Sequence, residues 1–161
     1  TCCFFLGIWG VLDLTVVVRG QLQMCISASS MGGHGALTLA MARPAQYRSV
    51  SAFSPICNPM GSDWGQKQLT AYLGAKSSAW ETHDASHQML EKGFDGPILV
   101  DTGTEDPFLE LLMPETLAFS MAKRRQTGHF RLQHGYDHSY FFVSTFMEDH
   151  INFHAESLHA E

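Results

Sequence analysis

The first place where this chain can do chemistry is a serine set between two apolar runs. Ser27-Ala28-Ser29-Ser30-Met31-Gly32-Gly33 follows Met24-Cys25-Ile26, which reads as a short buried strand. It precedes residues 35–42, which read as a helix stopping before Pro44. A small residue at 28, a serine at 30 and glycines at 32 and 33 fit a sharp strand-to-helix turn. Such a turn holds a serine strained with its hydroxyl exposed, and small neighbours let the backbone fold back past it. The usual pattern, Gly-x-Ser-x-Gly, has glycine where Ala28 stands, and alanine there gives up some freedom of positive φ. Ordinary turns use the same residue types, so the reading depends on partners elsewhere in the chain.

Acyl transfer by serine needs a base for the hydroxyl proton, an acid to orient that base, and donors for the oxyanion. Asp106 lies in Thr104-Glu105-Asp106-Pro107, just after the apolar run Pro97-Ile98-Leu99-Val100-Asp101-Thr102. Asp101 and Glu105 are its alternatives. His138 lies between Asp137 and Ser139 at the start of the last helical stretch, with His134 and His34 as alternatives. His34, close to the serine, is expected to pack beside it. Nine histidines also raise metal binding. His150 and His154 share helical spacing, but they lack the glutamate of a zinc-protease helix. The expectation for that pair is a solvated helix face, and no metal site or cofactor.

These residues need elements to carry them. Strands are expected at 24–28, 49–54, 97–102 and 129–133, and the main helices at 33–43, 115–126 and from about 139 to 158. Shorter helices fall around 66–72, 79–82 and 86–92. Strands alternating with helices, with apolar strands, predict a parallel sheet covered on both faces. In such α/β folds chemistry collects beyond the carboxyl ends of the strands. Ser30, Asp106 and His138 each follow an expected strand there. The order serine, acid, histidine is that of α/β-hydrolases, and differs from the chymotrypsin and subtilisin orders.

Bulk properties narrow the rest. At 161 residues the chain fits one domain, able to bury roughly two thirds of its unfolded surface. It is 45% hydrophobic and 16% charged, which excludes a disordered chain. A net charge of −6 and no basic run exclude a phosphate-backbone binder. Cys2, Cys3, Cys25 and Cys57 show no CxxC pair, which fits a reduced compartment. Residues 1–18 are apolar around Asp13, with no initiating methionine and no basic segment ahead. Three readings stand for them: buried strands, a membrane anchor, or sequence foreign to the fold. The expected division is an apolar stretch at 1–18 and a catalytic domain at 19–161.

At this point longer words resemble a known family. Ser30-Met31-Gly32-Gly33-His34-Gly35-Ala36-Leu37 is similar to the nucleophile segment of the S-formylglutathione hydrolase (esterase D) family. Ser51-Ala52-Phe53-Ser54-Pro55-Ile56-Cys57-Asn58-Pro59 resembles its next strand and loop. Trp64-Gly65, Tyr72-Leu73-Gly74 and Trp80 fall at matching places. Phe130-Arg131-Leu132-Gln133 with Gly135-Tyr136-Asp137-His138-Ser139-Tyr140 resembles its histidine segment. The resemblance runs from about Arg19 to the end.

It implies an α/β-hydrolase fold, mostly parallel, with Ser30 as nucleophile, Asp106 as acid, His138 as base and the Met31 backbone N–H as an oxyanion donor. It implies hydrolysis of S-formylglutathione to glutathione and formate in formaldehyde catabolism, by a cytoplasmic, commonly homodimeric enzyme without metal or cofactor. The family's Gly-His ahead of the serine is Ala28-Ser29 here, and residues 1–18 do not resemble it. Its N-terminal half, which supplies further strands and the second oxyanion N–H, has no counterpart. The expectation is therefore a fold truncated at its N-terminal side, a fragment encoding an esterase core that is inactive alone. The alternatives are a short-acyl carboxylesterase, a non-catalytic α/β-hydrolase remnant, and a membrane-anchored protein using residues 1–18.

Overall fold

Five parallel strands carry the molecule in a computed structural model that describes residues 3–6 and 24–159. They are β1 (Cys3–Leu6), β2 (Met24–Ser29), β3 (Tyr47–Phe53), β4 (Ile98–Gly103) and β5 (Gly128–Gln133), hydrogen-bonded in chain order. The helices are α1 (Ser30–Ala42), α2 (Asp63–Leu73), α3 (Ser78–Glu81), α4 (Ala85–Glu91), α5 (Leu109–Leu112), α6 (Pro114–Arg124) and α7 (Tyr140–His159). Parallel neighbours require a crossover between them. α1 links β2 to β3, α2 to α4 link β3 to β4, and α5 and α6 link β4 to β5. Each expected strand and main helix is present, with ends moved by a few residues. One helix was not expected, α5, four residues of Leu-Glu-Leu-Leu; β1 lies in the apolar stretch at 1–18, where strands were one of the three readings. The rest of that stretch, and the division expected at 18, lie outside the described residues.

The two faces of the sheet differ in chemistry, because side chains alternate along a strand. The register places Ile26 beside Val50 and Val50 beside Ile98, and Ala28 beside Ala52 and Ala52 beside Val100. These residues form one apolar core with Ala36, Leu37, Ala40 and Met41 of α1, Ala85 and Met89 of α4, and Leu117 and Met121 of α6. The alternate positions are Cys25, Ser27, Ser49, Ser51, Phe53, Leu99 and Asp101, all buried, and α7 packs on this face. The sequence predicted apolar strands on both faces, but only one face is apolar. The other is polar because α7 brings matching groups to it. His150 and His154, expected on a solvated face, are instead 0% and 1% exposed. Among the described residues no helix is long and apolar enough to cross a membrane.

Candidate active site

Ser30 opens α1 directly from the end of β2, with φ at +54°. That left-handed conformation is uncommon for a non-glycine residue and costs on the order of 1–3 kcal/mol. It turns the chain sharply enough to lift the side chain clear of the strand. The strain sits on the serine itself and not on Ala28, which lies buried within the extended strand one residue before its end at Ser29, so alanine at 28 carries no penalty from positive φ. The small residue the turn does require is Gly33. A Cβ there would meet the Ala28 carbonyl oxygen at 3.1 Å and the Cβ atoms of Ala52 and Pro55 at 3.2 Å. Met31, the next residue, is exposed. Its N–H is among the first donors of α1, which have no partner inside a helix and sit at its positive end.

Asp106 and His138 arrive on two loops that are laced together. Thr104 N–H donates to the Gln133 carbonyl at 3.0 Å, and Glu105 N–H to the Tyr136 carbonyl at 2.9 Å. Gly135 N–H donates to Thr104 Oγ1 at 3.0 Å. The loops approach so closely at Gly103 that a Cβ there would lie 2.2 Å from the Tyr136 carbonyl oxygen. Asp106 Oδ2 is 2.6 Å from His138 Nδ1, and Asp106 Oδ1 accepts from Phe108 N–H at 2.8 Å. Burial pushes the Asp106 carboxyl up. The bonds from His138 and Phe108 outweigh it and hold the group below its usual range. An ionised carboxylate can only accept, so Nδ1 carries the imidazole proton and Nε2 keeps the basic lone pair. The Phe108 ring packs edge-on against His138, 5.3 Å between centroids.

Ser30 and His138 line the same cavity, of about 380 Å³, with Trp64, Phe108, Leu111 and Leu112. Three elements thus meet at the carboxyl end of the sheet with a serine, an imidazole and a carboxylate behind it. The alternatives are placed elsewhere. Glu105 and His134 are exposed. Asp101 is fully buried and bonded to Arg131. The His34 ring lies 2.8 Å from the Ile56 carbonyl, packed beside the turn as expected. Among the described residues, no group of three or more His, Cys, Asp or Glu side chains is placed to hold a metal ion. Sequence reasoning missed the apolar lining. Phe108, Leu111 and Leu112 come from the loop and short helix after Asp106, where four residues show no periodicity to read.

This strand-serine-helix turn, with an acid and a histidine on later strand ends, is the arrangement of an α/β-hydrolase fold. The chain belongs to the esterase family, whose "Putative esterase" model matches residues 11–153. The match begins inside the apolar stretch at 1–18. Over 133 residues the chain is 61% identical to the S-formylglutathione hydrolase of Paracoccus denitrificans (strain Pd 1222), covering 83% of this chain and 48% of that protein. It is 47% identical over 143 residues to the Bos taurus S-formylglutathione hydrolase, covering 86% of this chain and 50% of that protein. A solved S-formylglutathione hydrolase from Agrobacterium tumefaciens superposes with a TM-score of 0.80 at 40% identity, over 84% of this chain and 50% of that one. The fold is an α/β-hydrolase fold, and the chain spans about half the length of the curated relatives it matches.

Proposed function

We propose that residues 19–161 are the partial catalytic domain of a serine thioesterase that cleaves S-formylglutathione to glutathione and formate. The observation that carries this reading is the cavity that Ser30 and His138 share, with Asp106 bonded behind His138. In the reaction, His138 Nε2 takes the Ser30 proton as Oγ attacks the thioester carbonyl carbon. The Met31 N–H faces the developing oxyanion. The C–S bond breaks, and the glutathione thiolate leaves with the proton from His138. Water then attacks the formyl-serine ester, losing its proton to His138, and formate departs as Ser30 recovers its hydrogen. Asp106 holds the tautomer throughout and stabilises the imidazolium. The enzyme is a cytoplasmic homodimer in this reading, which light scattering on the protein checks.

A second reading, a short-acyl carboxylesterase, is favoured by the cavity itself. Its volume and its Trp64, Phe108, Leu111 and Leu112 lining accept acyl groups longer than formyl. One experiment separates the readings. S-formylglutathione and a short aryl ester are each offered to the chain and to Ser30→Ala. Loss of hydrolysis in Ser30→Ala supports the serine mechanism, and the ratio of kcat/KM for the two substrates ranks the readings. Equal inertness of the two proteins sinks the catalytic reading for this chain.

A further inference from the structure

The face of the sheet under α7 holds a second set of ionisable groups that the reaction does not use. Its centre is Asp101 on β4, with its side chain fully buried. Arg131 on β5 forks onto it, Nε to Oδ1 at 2.6 Å and Nη2 to Oδ2. Gln133, also on β5, donates Nε2–H to Oδ1 at 3.0 Å. His150 on α7 places Nε2 3.0 Å from Oδ2. The Asp101 backbone carbonyl accepts Ser54 N–H at 2.7 Å, tying in the end of β3. Phe53, next to Ser54, stacks on the His150 ring with 3.7 Å between centroids.

Each element that this carboxylate holds ends at the site. β4 runs on to Asp106, β5 runs on to His138, and α7 begins two residues after His138. Among the described residues β5 is bonded to β4 alone, so its register and its distance from α7 need a fixing point. Burying the Asp101 carboxylate against a partly covered guanidinium is no economical way to gain stability, because apolar residues of the same volume do as well or better. What a forked, fully bonded ion pair adds is a single geometry.

Resting on the serine-hydrolase reading, we propose that Asp101, through Arg131, Gln133 and His150, is the positioning residue that sets the Asp106–His138 pair against Ser30. It touches no reacting atom and acts by holding β4, β5 and α7 in one register. A displacement of about 1 Å at a catalytic group costs up to about 100-fold in rate.

The test uses Arg131→Met and Arg131→Lys, at a half-exposed position, and the apolar replacement Asp101→Leu/Arg131→Met/His150→Phe. Leu117→Val, in the apolar core of the opposite face, is the stability control. Three quantities are read: thermal midpoint, kcat and KM on an aryl ester, and the far-downfield proton resonance of the His138–Asp106 hydrogen bond. The expected result for Arg131→Met and for the apolar replacement is cooperative folding, a broadened or shifted resonance and a kcat lowered about 10- to 100-fold with little change in KM. Arg131→Lys recovers part of the loss, and Leu117→Val keeps the resonance while lowering the midpoint. The proposal is overturned if the apolar replacement keeps both resonance and kcat, or if Leu117→Val broadens the resonance equally. Absence of the resonance from the parent also overturns it. The resonance needs no turnover. An inert parent, or a Ser30→Ala variant as active as the parent, therefore removes the serine reading and leaves the positioning result to be judged separately.

Discussion

The molecule contains two chains of aspartate, histidine and serine, and they do different things. One is Asp106 bonded to His138, which shares a cavity with Ser30. The other is Asp101 bonded to His150, with His150 Nδ1 2.9 Å from Ser51 Oγ. By hydrogen bonding alone, the chain through Ser51 is the better made. Ser51 is also bonded to Ser27 at 2.7 Å and to His154 Nε2 at 2.8 Å, and His154 Nδ1 reaches Ser49 Oγ at 2.8 Å. Yet Ser51 sits in mid-strand, sealed under α7, with every bond satisfied inside the protein. Ser30 sits in a strained turn, half-buried, on a cavity. A nucleophile must reach outward to a substrate, and a fully satisfied serine has nothing left to offer one. The acids differ in the same way. Asp101 is committed to the Arg131 cation, whereas the side chain bonded to Asp106 is an imidazole, the group that proteins use to pass protons.

The contrast can be broken experimentally, the largest effect first. Asp106→Asn should lower kcat for ester hydrolysis on the order of 10⁴-fold by presenting the wrong imidazole tautomer to Ser30. A loss under tenfold would mean that Asp106 is structural and the two constellations are alike.

The sealed network should show itself in pH dependence of stability. Burial, and then the charge of His150, push the His154 imidazole down to about 4. Burial lowers His150 as well, against the pull of Asp101. An unfolded histidine takes its proton near 6.5. Between those values the unfolded chain binds more protons than the folded one, so stability is complete above about pH 6.5 and falls as pH drops toward 4. For His154 the loss is about 3 kcal/mol across that window. Asp101, held at about 2 by its bonds to His150 and Arg131 despite burial, contributes stability that is lost only at more acid pH. Urea unfolding at pH 7 and pH 5 measures the slope, and His154→Phe should flatten it whatever its effect on the absolute level. An unchanged slope would place the histidines outside the sealed network.

Ser51→Ala sharpens the same point. It should cost about 1–3 kcal/mol by leaving His150 Nδ1 and His154 Nε2 without a partner, while kcat stays within about tenfold of the parent. A larger fall in kcat would make the buried serine part of the chemistry. The smallest expected effect is at the turn. Gly33→Ala should cost about 1 kcal/mol or somewhat more from overpacking against Ala28, Ala52 and Pro55. A thermal midpoint equal to the parent's would show that the turn has room to spare.

The exposed site was legible in the sequence and the sealed one was not, for a physical reason. Ser30, Asp106 and His138 follow strand-like runs, and small residues crowd the serine, so chain order and turn chemistry point to them. The sealed face also left a trace. Cys25-Ile26-Ser27-Ala28 and Ser49-Val50-Ser51-Ala52 alternate polar and apolar with period two. Alternation usually marks a strand face turned to water. Here the polar positions are buried against two histidines that helical spacing placed together, but whose partners lie 49 to 105 residues away. No local pattern announces that Ser51 and Asp101 will meet His150. α5, a single turn of Leu-Glu-Leu-Leu directly after the Asp106-Pro107 turn, was not expected.

The lacing of the Asp106 and His138 loops has a consequence for how the protein fails. Acid and base are both delivered from β4 and β5, the latter at an edge among the described strands, while the serine comes from β2, which is paired on both sides by β1 and β3. Edges open before centres, in units smaller than the whole fold. A fluctuation that frees β5 from β4 therefore carries off the base, and disturbs the acid, while the turn at Ser30 stays folded. If the chain hydrolyses esters as proposed, that activity should follow the opening free energy of a single strand pairing and fall in mild denaturant before the helices melt.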